Sequence, residues 1–251
     1  MRPLHLPPPP FNVLWVEQVD STNLVLQRRL EAWEGAGRMG ETLLVAGSQT
    51  AGRGRGRREW VSPAGGLYAT WFGWVPVEVL GVIPIAAAVA LAEALEAVAP
   101  AMAVGFKWPN DLMVGGRKVG GVLAQARVSG GEAGVIVGLG SNLATTPAVD
   151  GPGVAPTSAA EWGWVGDPAT SALAIAVDCV TRLHGYLAAP ARAQRIWAAR
   201  SVHRPGDELR LRAGDEVVRG RFAGFGPAGQ LFLEVEGEQR EFFAADLVAA
   251  L

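Results

Sequence analysis

Lysine occurs at only two positions of the 251-residue chain, and both lie in one segment that also carries a carboxylate and an amide. The segment runs Lys107-Trp-Pro-Asn-Asp111-Leu-Met-Val-Gly-Gly-Arg-Lys118. Arginine supplies the other 20 of the 22 basic residues, so the retained lysines indicate a need for a compact ammonium rather than a planar guanidinium. Such a point charge is suited to holding phosphate beside backbone donors. A compositional drift toward arginine that spared two lysines by chance is the alternative.

Turn signals predict that this segment folds into a hairpin. Pro109 disfavours the α conformation at Trp108, so a strand is expected to end in a turn at 109–111. The diglycine at 115–116 predicts a second turn. The strands are then expected over residues 105–108, 112–114 and 117–126. The two ammonium groups and the Asp111 carboxylate converge at one end, unless the hairpin is only a salt-bridged surface element.

A second basic cluster begins after Gln49 and reads Thr-Ala-Gly52-Arg53-Gly54-Arg55-Gly56-Arg57-Arg58-Glu-Trp60. Alternating glycines and like charges disfavour a helix or a core element, so we predict a mobile loop. Backbone N–H groups and guanidinium groups together favour phosphate or carboxylate as the ligand. RNA is the rival ligand. A net charge of -2 and a pI near 6.0 argue against it, because nucleic-acid domains usually carry a broad basic footprint.

These motifs, taken together, resemble those of the biotin protein ligases, which adenylate biotin and transfer it to a lysine of a carboxylase carrier domain. Five segments match in the family's order and at close to its spacing. They are Asp20-Ser-Thr-Asn23, Gln49 through Trp60, Lys107 through Leu112, Arg117-Lys-Val-Gly-Gly-Val-Leu123 and Val137-Gly-Leu-Gly-Ser-Asn142. Several ordered motifs over about 120 residues are far more specific than one glycine-rich loop.

The resemblance implies roles for individual side chains. Lys118, Arg55 and Asp111 are the expected catalytic residues, with Asp111 also serving a magnesium ion. The expected biotin-binding residues are Ser21, Thr22, Asn23, Gln49, Gly52, Arg53, Gly54, Arg55, Lys118 and Gly121. The expected nucleotide-binding residues are Arg53, Arg55, Trp60, Lys107, Asn110, Lys118 and Asn142. Trp60 is expected to pack over the closed arginine loop, and the implied partners are biotin, ATP with Mg²⁺ and a biotin carboxyl carrier domain.

The sequence departs from the family pattern in two places. The order Gly56-Arg57-Arg58 differs from the usual glycine followed by arginine, which puts the turn of the loop in doubt. The segment from Val154 to Thr157 offers no aromatic side chain to stack on adenine, and Trp162 or Trp164 could do so only after a register shift. The adenine platform is therefore unassigned.

The chemistry fits these residues independently of the resemblance. Adenylation brings a carboxylate against a polyanionic triphosphate, so cations must act where charge builds on the α-phosphate. Lys118, Arg55 and a magnesium ion near Asp111 supply that set. A basic loop that closes over the mixed anhydride would exclude water until the acceptor lysine arrives.

Composition agrees with a compact cytoplasmic enzyme. The chain is 49% hydrophobic, enough for one large domain and a small one. The single cysteine, Cys179, lies in an apolar helical run and is expected to be buried. No secretion signal or uninterrupted membrane-length apolar span is present. His5, His184 and His203 are scattered, which indicates neither a zinc site nor a serine–histidine dyad.

The predicted organisation is an α/β (α+β) protein in three parts. Residues 1–10 form a proline-rich tail, 11–202 a mixed-sheet catalytic domain of the biotin/lipoate ligase type, and 203–251 a small SH3-like β-barrel. Ser21 is expected to cap a helix that runs to about Ala32, with Trp33 among its apolar positions. Only about ten residues precede the first strand, so we expect no winged helix, no DNA binding and a monofunctional ligase. Family members often form homodimers.

Two rival functions stay open. A lipoate-type ligase shares this fold family, but the polar set of Ser21, Thr22, Asn23 and Gln49 favours a ureido ring over a dithiolane. A nonenzymatic RNA- or anion-binding protein that uses the arginine loop is the other rival.

Overall fold

The computed structural model describes residues 10–32, 39–56, 58–148, 154–243 and 245–247. Within them lie a seven-stranded mixed sheet with four α-helices and, after it, a five-stranded antiparallel sheet. The α/β class with a mixed sheet is confirmed. Residues 1–9 of the expected tail, Trp33 and Arg57 lie outside the described residues.

The first sheet has the order β1-β2-β3-β7-β6-β5-β4, in which β1 and β2 are parallel and the other pairs are antiparallel. Its strands are β1 (Asn12–Val19), β2 (Thr42–Gln49), β3 (Gly66–Pro76), β4 (Gly105–Lys107), β5 (Asp111–Val114), β6 (Arg117–Ser129) and β7 (Glu132–Asn142). The hairpin expected around the two lysines is confirmed as β4, β5 and β6. Its second turn places Gly115 and Gly116 at φ 56° and 74°, which glycine adopts without strain.

The pairing of β3 with β7 divides the sheet into two faces. The strands pair from Gly66 to Pro76, with Thr70 opposite Gly138. Because side chains alternate along a strand, Ala69 and Trp71 enter the main core while Thr70 and Phe72 point to the other face. β7 was not among the strands that the sequence predicted. It contains three glycines, and because glycine is depleted in strands the segment does not have the composition of a strand.

Three helices cover one face of the first sheet. They are α2 (Ile83–Val98), α3 (Pro168–Ala188) and α4 (Pro190–Arg200). Proline begins α3 and α4 and occupies the first turn of α2, where its missing N–H costs no hydrogen bond. Cys179 of α3 is fully buried as expected, and burial raises the pKa of its thiol.

Helix α2 is apolar on nearly every side. With the 3₁₀ turn Val77–Val82 before it, the stretch Val77–Val98 is long and apolar enough to cross a bilayer, and α3 with α4 passes the same test only as a pair bent by 111°. The α2 side chains from Ile85 to Ala92 are buried against the sheet and α3. Such burial is that of a core helix.

The opposite face is only partly covered. α1 (Thr22–Ala32) packs there over a small apolar cluster that contains Leu26, Phe72 and Ile136. Ser21 occupies the position before α1 as predicted, and its carbonyl oxygen accepts a hydrogen bond from Val25 N at 3.0 Å. The rest of this face, beside the N-terminus of α1, is open to the candidate site.

The second sheet has the order β11-β10-β9-β8-β12. Its strands are β8 (Glu208–Ala213), β9 (Glu216–Phe225), β10 (Leu231–Val235), β11 (Glu238–Phe242) and β12 (Asp246–Leu247). It is joined to the first sheet by an aromatic contact, in which Phe106 stacks on Trp197 at 4.7 Å and Phe225 meets Trp197 edge-on. Trp108 Nε1 also donates to Gly229 O at 3.1 Å.

Candidate active site

Two adjoining cavities open on the exposed face of the first sheet. The first, of about 100 Å³, lies at the N-terminus of α1, and the second, of about 280 Å³, lies toward β12. Five residues line both cavities: Arg58, Glu59, Trp60, Asp111 and Lys118. The segments that the sequence singled out therefore meet at a shared wall.

The polar end of the first cavity is built by the start of α1 and the end of β2. Gln49 Oε1 accepts from Thr22 N at 2.8 Å and lies 3.1 Å from Thr22 Oγ1. Gln49 Nε2 donates to Ser62 Oγ at 2.9 Å, and Ser62 in turn donates to Trp60 O. These bonds fix the Gln49 amide relative to α1. Ser21 and Asn23 line the same cavity.

Asn23 stands out within this polar end. Thr70 Oγ1 lies 2.6 Å from Asn23 Oδ1 and 2.8 Å from Thr22 Oγ1, whereas Asn23 Nδ2 is buried and has no partner in the part of the chain that the structure describes. Thr70 was not among the predicted site residues. A signal existed, because Thr70 is the polar residue at the centre of an otherwise apolar strand.

The arginine segment is a loop that folds back on itself as a hairpin, called the arginine hairpin below. Arg53 pairs with Glu59, Gly54 N donates to Arg58 O at 2.8 Å, and Trp60 N donates to Gly52 O at 2.9 Å. Gly56 turns the chain at φ 66°. The expectation of a loop agrees with the described residues, because the segment lies between β2 and β3 and is held by an isolated bridge and backbone hydrogen bonds; its mobility stays a prediction. Arg53, Gly54 and Arg55 line the first cavity.

Gly52 lies behind the cavity lining. A Cβ at this position would lie 2.5 Å from Ser62 Oγ and 2.9 Å from Gln49 Nε2. Any larger residue would therefore push the Gln49 amide away from α1. Gly52 acts on the cavity through Gln49 and the hairpin rather than through direct lining.

Arg55 also touches the second sheet. Its Nη2 donates to Ala245 O at 2.5 Å, immediately before β12. Leu247 of β12 lines the second cavity. The C-terminal strand thus contributes to the site, which the sequence did not predict because the contact joins residues 190 positions apart.

Lys118 and Asp111 form the shared wall. Lys118 Nζ lies 2.5 Å from Asp111 Oδ1, and the two side chains are 26% and 21% exposed. Lys118 Nζ also lies 5.2 Å from the ring centre of Trp60, a cation–π distance. Gly121, opposite Asp111 in the β5–β6 pair, leaves room beside the Lys118 side chain. The predicted convergence of ammonium and carboxylate is confirmed.

Trp60 lies flat against the sheet between the two cavities. A Cβ on Gly140 would lie 2.9 Å from Trp60 Cε2 and Nε1. The ring therefore fits only because position 140 is glycine. Trp60 follows the arginine hairpin and lines both cavities, so it lies between them, and its role as a cover over the closed loop stays a prediction.

The remaining predicted residues divide between the cavities. Lys107 and Asn142 line the second cavity, whereas Asn110 lines the first. Both amides are held by backbone carbonyls, since Asn110 Nδ2 donates to Val122 O at 2.8 Å and Asn142 Nδ2 to Thr157 O at 2.9 Å. Asn142 thereby anchors the segment that crosses Lys118.

Neither Trp162 nor Trp164, the candidates for adenine stacking, is among the described residues that line these two cavities. Trp162 packs against Gly115 and donates to Thr157 Oγ1, while Trp164 is buried in the core. The second cavity is instead walled by Val61, Pro147, Val154, Pro156 and Leu247. Among the described residues, Trp60 is the aromatic side chain of this lining, and the other apolar residues in it are aliphatic.

Comparison with known proteins agrees with this arrangement. The family model of the biotin/lipoate A/B protein ligase family matches residues 15–142. A biotin–[acetyl-CoA-carboxylase] ligase from Paracoccus denitrificans is 35% identical over 227 residues, which cover 84% of this chain and 91% of that protein. The chain belongs to the biotin/lipoate A/B protein ligase family.

Solved structures of biotin protein ligases share the fold. The Aquifex aeolicus ligase in complex with biotin and ATP has a TM-score of 0.71 at 27% identity and covers 94% of this chain and 97% of its own. The Leishmania major ligase in complex with biotinyl-5-AMP has a TM-score of 0.62 at 26% identity and covers 93% and 99%. The match therefore includes the C-terminal region.

Proposed function

We propose that this chain is an ATP-dependent biotin protein ligase. It activates biotin as biotinyl-5′-AMP and transfers the biotinyl group to a specific lysine of a biotin carboxyl carrier domain. The observation that carries the proposal is the pair of cavities with Lys118 and Asp111 at their shared wall. Two substrates that must react with each other need two pockets that meet at a cation.

The first cavity is assigned to biotin. Its polar end offers the Ser21 hydroxyl, the Thr22 backbone and the Asn23 and Gln49 amides, a set suited to the ureido ring. The valeryl chain then runs toward Lys118. Arg53, Gly54 and Arg55 of the arginine hairpin close this cavity from above, and Gly121 leaves space for the carboxylate.

The second cavity is assigned to the nucleotide. Lys107 adds a positive charge, Trp60 offers a ring face, and Asn142 holds the wall behind them. Asn110 fixes the turn that carries Asp111 and acts on the nucleotide only through it. The aliphatic wall from Val154 to Pro156, together with Leu247, is suited to a flat base without stacking on a second aromatic ring.

Lys118 acts where the two substrates meet. A biotin carboxylate oxygen attacks the α-phosphorus, the bond to the bridging oxygen breaks, and pyrophosphate leaves. Lys118 Nζ lowers the repulsion between the carboxylate and the phosphate and stabilises the charge that builds on the α-phosphoryl oxygens. In the second half-reaction a neutral lysine amine of the carrier attacks the biotinyl carbonyl, AMP leaves, and a proton is released.

A magnesium ion is part of the proposal. Among the described residues no group of three or more His, Cys, Asp or Glu could hold a metal. One carboxylate still fits, because Mg²⁺ is commonly bound by one or two carboxylates together with substrate phosphates. Asp111 would hold it, and the ion would supply further neutralisation of the triphosphate.

The larger organisation is proposed on the same grounds. Residues 11–202 form the catalytic domain and 203–251 a second domain, whose five short antiparallel strands are of the number and length found in SH3-like barrels. A cytoplasmic location follows from the need for ATP and carboxylase carriers. A homodimer is part of the proposal, and the open edge of β1 offers Leu14 and Trp15, each 37% exposed, for it.

The decisive test is to incubate the protein with biotin, MgATP and a carboxylase carrier domain and to measure the mass of the carrier. We expect a gain of one biotinyl group on one lysine. Exchange of pyrophosphate into ATP with biotin or lipoate separates this function from that of a lipoate-type ligase. Exchange with lipoate but not biotin would overturn the proposal, and RNA binding without either exchange would favour the nonenzymatic alternative.

A further inference from the structure

Asn23 lines the first cavity and holds an unsatisfied donor. Its Nδ2 is buried and has no hydrogen-bond partner among the described residues, and the residue is only 6% exposed. A buried N–H group without a partner is destabilising, so one at a cavity wall points to a ligand that brings an acceptor. The orientation of this amide therefore decides whether Asn23 can bind a hydrogen-bond acceptor or a hydrogen-bond donor of the ligand.

Thr70 holds the other end of the amide. The Thr70 side chain is fully buried, and its Oγ1 lies 2.6 Å from Asn23 Oδ1. An amide oxygen only accepts hydrogen bonds, so the Thr70 hydroxyl must donate its single hydrogen to Asn23. Its lone pairs can then accept the single hydrogen of the Thr22 hydroxyl at 2.8 Å, and the Thr22 backbone N–H remains the donor to Gln49 Oε1. Thr70 is not among the residues that line the first cavity, so its effect on the cavity is through Asn23.

Gly138 makes the space for the amide. It is the direct partner of Thr70 in the β3–β7 pair, so both positions face the same side of the sheet. A Cβ at position 138 would lie 2.9 Å from Asn23 Nδ2 and closer still to Oδ1. The Asn23 amide therefore fits into a niche formed by one hydroxyl and one missing side chain on adjacent strands.

We propose that Thr70 and Gly138 lock the Asn23 amide with Nδ2 toward the first cavity, which makes Thr70 a positioning residue for recognition of a ureido oxygen. The inference rests on the proposed function. The carbonyl oxygen is the strong acceptor of a ureido ring, whose two N–H groups are donors, and a dithiolane offers no such acceptor. The niche thus selects biotin at the end of the molecule remote from the reacting carboxylate.

The test is steady-state formation of adenylate by the full chain with Thr70→Val, which removes the hydroxyl at nearly constant volume, and Thr70→Ser, which keeps it. We expect Thr70→Val to raise the KM for biotin about tenfold or more, the effect of losing one well-oriented hydrogen bond. The KM for ATP and kcat at saturating biotin should change by less than about threefold, because only uniform biotin binding is lost. Thr70→Ser should restore most of the affinity.

A double-mutant cycle tests whether Thr70 acts through Asn23. In an Asn23→Ala background, Thr70→Val should have little further effect on the KM for biotin, whereas independent residues would give additive effects. Gly138→Ala should raise the same KM by crowding the amide from the opposite strand. If Thr70→Val does not fold, a normal KM for biotin in folded Gly138→Ala overturns the proposal.

Selectivity gives the second readout. 2-Iminobiotin carries a protonated imine in place of the ureido oxygen. Its N–H groups are hydrogen-bond donors and would face the Asn23 Nδ2 donor without an acceptor between them. The wild-type protein should prefer biotin strongly, and Thr70→Val should narrow this preference because the unlocked amide can turn its oxygen inward. An equal rise in KM for both compounds would overturn the assigned orientation.

Matched controls are present in the same sheet. Thr42→Val removes another buried hydroxyl, one that donates to Gly40 O at 2.9 Å, and Gly134→Ala adds a methyl to β7 at ordinary contact distance from Phe72. Both should leave the KM for biotin unchanged. A wild-type protein that forms no adenylate from biotin would overturn the proposed function and this inference together. A wild-type protein that does so, with Thr70→Val at the wild-type KM, overturns the inference alone.

Discussion

At the scale of single residues, Lys118 is the group on which the proposed reaction depends most. Its ammonium lies 2.5 Å from the Asp111 carboxylate and faces the ring of Trp60, so it is held at the wall that both cavities share. A charge fixed in advance stabilises a transition state more than a mobile one, since little reorganisation is needed during the reaction. Lys107 lines only the second cavity.

We therefore expect Lys118→Ala to lower the rate of adenylate formation by about 10²–10³-fold, the range for loss of one preorganised donor. Lys118→Arg should also be impaired, because a planar guanidinium cannot occupy this space without displacing Asp111 or Trp60. Lys107→Ala should cost less at saturating ATP. Single-turnover measurement of biotinyl-AMP checks this order, which is wrong if Lys107→Ala is inactive while folded Lys118→Ala turns over normally.

Arg55 has a different expected role, because its guanidinium bridges the arginine hairpin and the carbonyl of Ala245. Arg55→Gly should loosen the closed hairpin and release biotinyl-AMP into solution, where it labels lysines indiscriminately. The measurement is biotin incorporation into a bystander protein, with adenylate synthesis assayed in parallel. Unchanged bystander labelling at normal synthesis would contradict the role in retention.

Residue types allowed much of the site to be predicted, but not its supporting contacts. The scarcity of lysine and the clustering of glycine with arginine identified the groups that carry charge. Neither Thr70 nor Ala245 could be predicted from the sequence, for different reasons. Thr70 acts through a neighbouring side chain, and Ala245 contributes only a backbone carbonyl, which has no sequence signature.

At the scale of elements, prediction succeeded where turns are local. Pro109 and the diglycine at 115–116 fixed both ends of β5, and the structure confirms the hairpin. Prediction failed at β7, because glycine at these positions makes room for side chains that pack on the strand and is not favoured by strand propensity. Gly138 accommodates Asn23 and Gly140 accommodates Trp60, so the strand's composition reflects the site.

This difference between two glycines on one strand gives a prediction. Gly140→Ala should displace the Trp60 ring, raise the KM for ATP and slow adenylation by about tenfold, because an added methyl in a tightly packed contact forces neighbours to move. The KM for biotin should change less than in Gly138→Ala. Steady-state kinetics with each substrate varied in turn checks this contrast. A larger effect of Gly140→Ala on biotin than on ATP would show that Trp60 does not separate the two substrates.

At the scale of the whole molecule, the two sheets are joined by contacts that could not be predicted from the sequence. The stack of Phe106 on Trp197, the bond from Trp108 to Gly229 and the contact of Arg55 with Ala245 all join distant parts of the chain. Hydrophobic spacing and turn signals predicted most elements but not these junctions, since pairings over such separations leave no periodic signal. The second sheet is therefore coupled to the site through both the hairpin and the Trp108 turn.

His203 lies at this junction and gives the last prediction. Burial first, and then the charge of Lys107, lower the pKa of His203 from 6.5 to about 4, and its Nε2 has no hydrogen-bond partner among the described residues. The folded protein thus keeps His203 neutral where the unfolded chain binds a proton. Stability that is fully present above pH 6.5 is lost progressively as the pH falls toward 4, by roughly 2 kcal/mol between pH 7 and pH 5 from this group alone. Denaturant unfolding at the two pH values measures it. The free energy of unfolding of His203→Leu should depend less on pH than that of the wild type, and the two proteins should be comparably stable at pH 7. An identical pH dependence in the two proteins would mean that His203 is already protonated, or exposed, in the folded state.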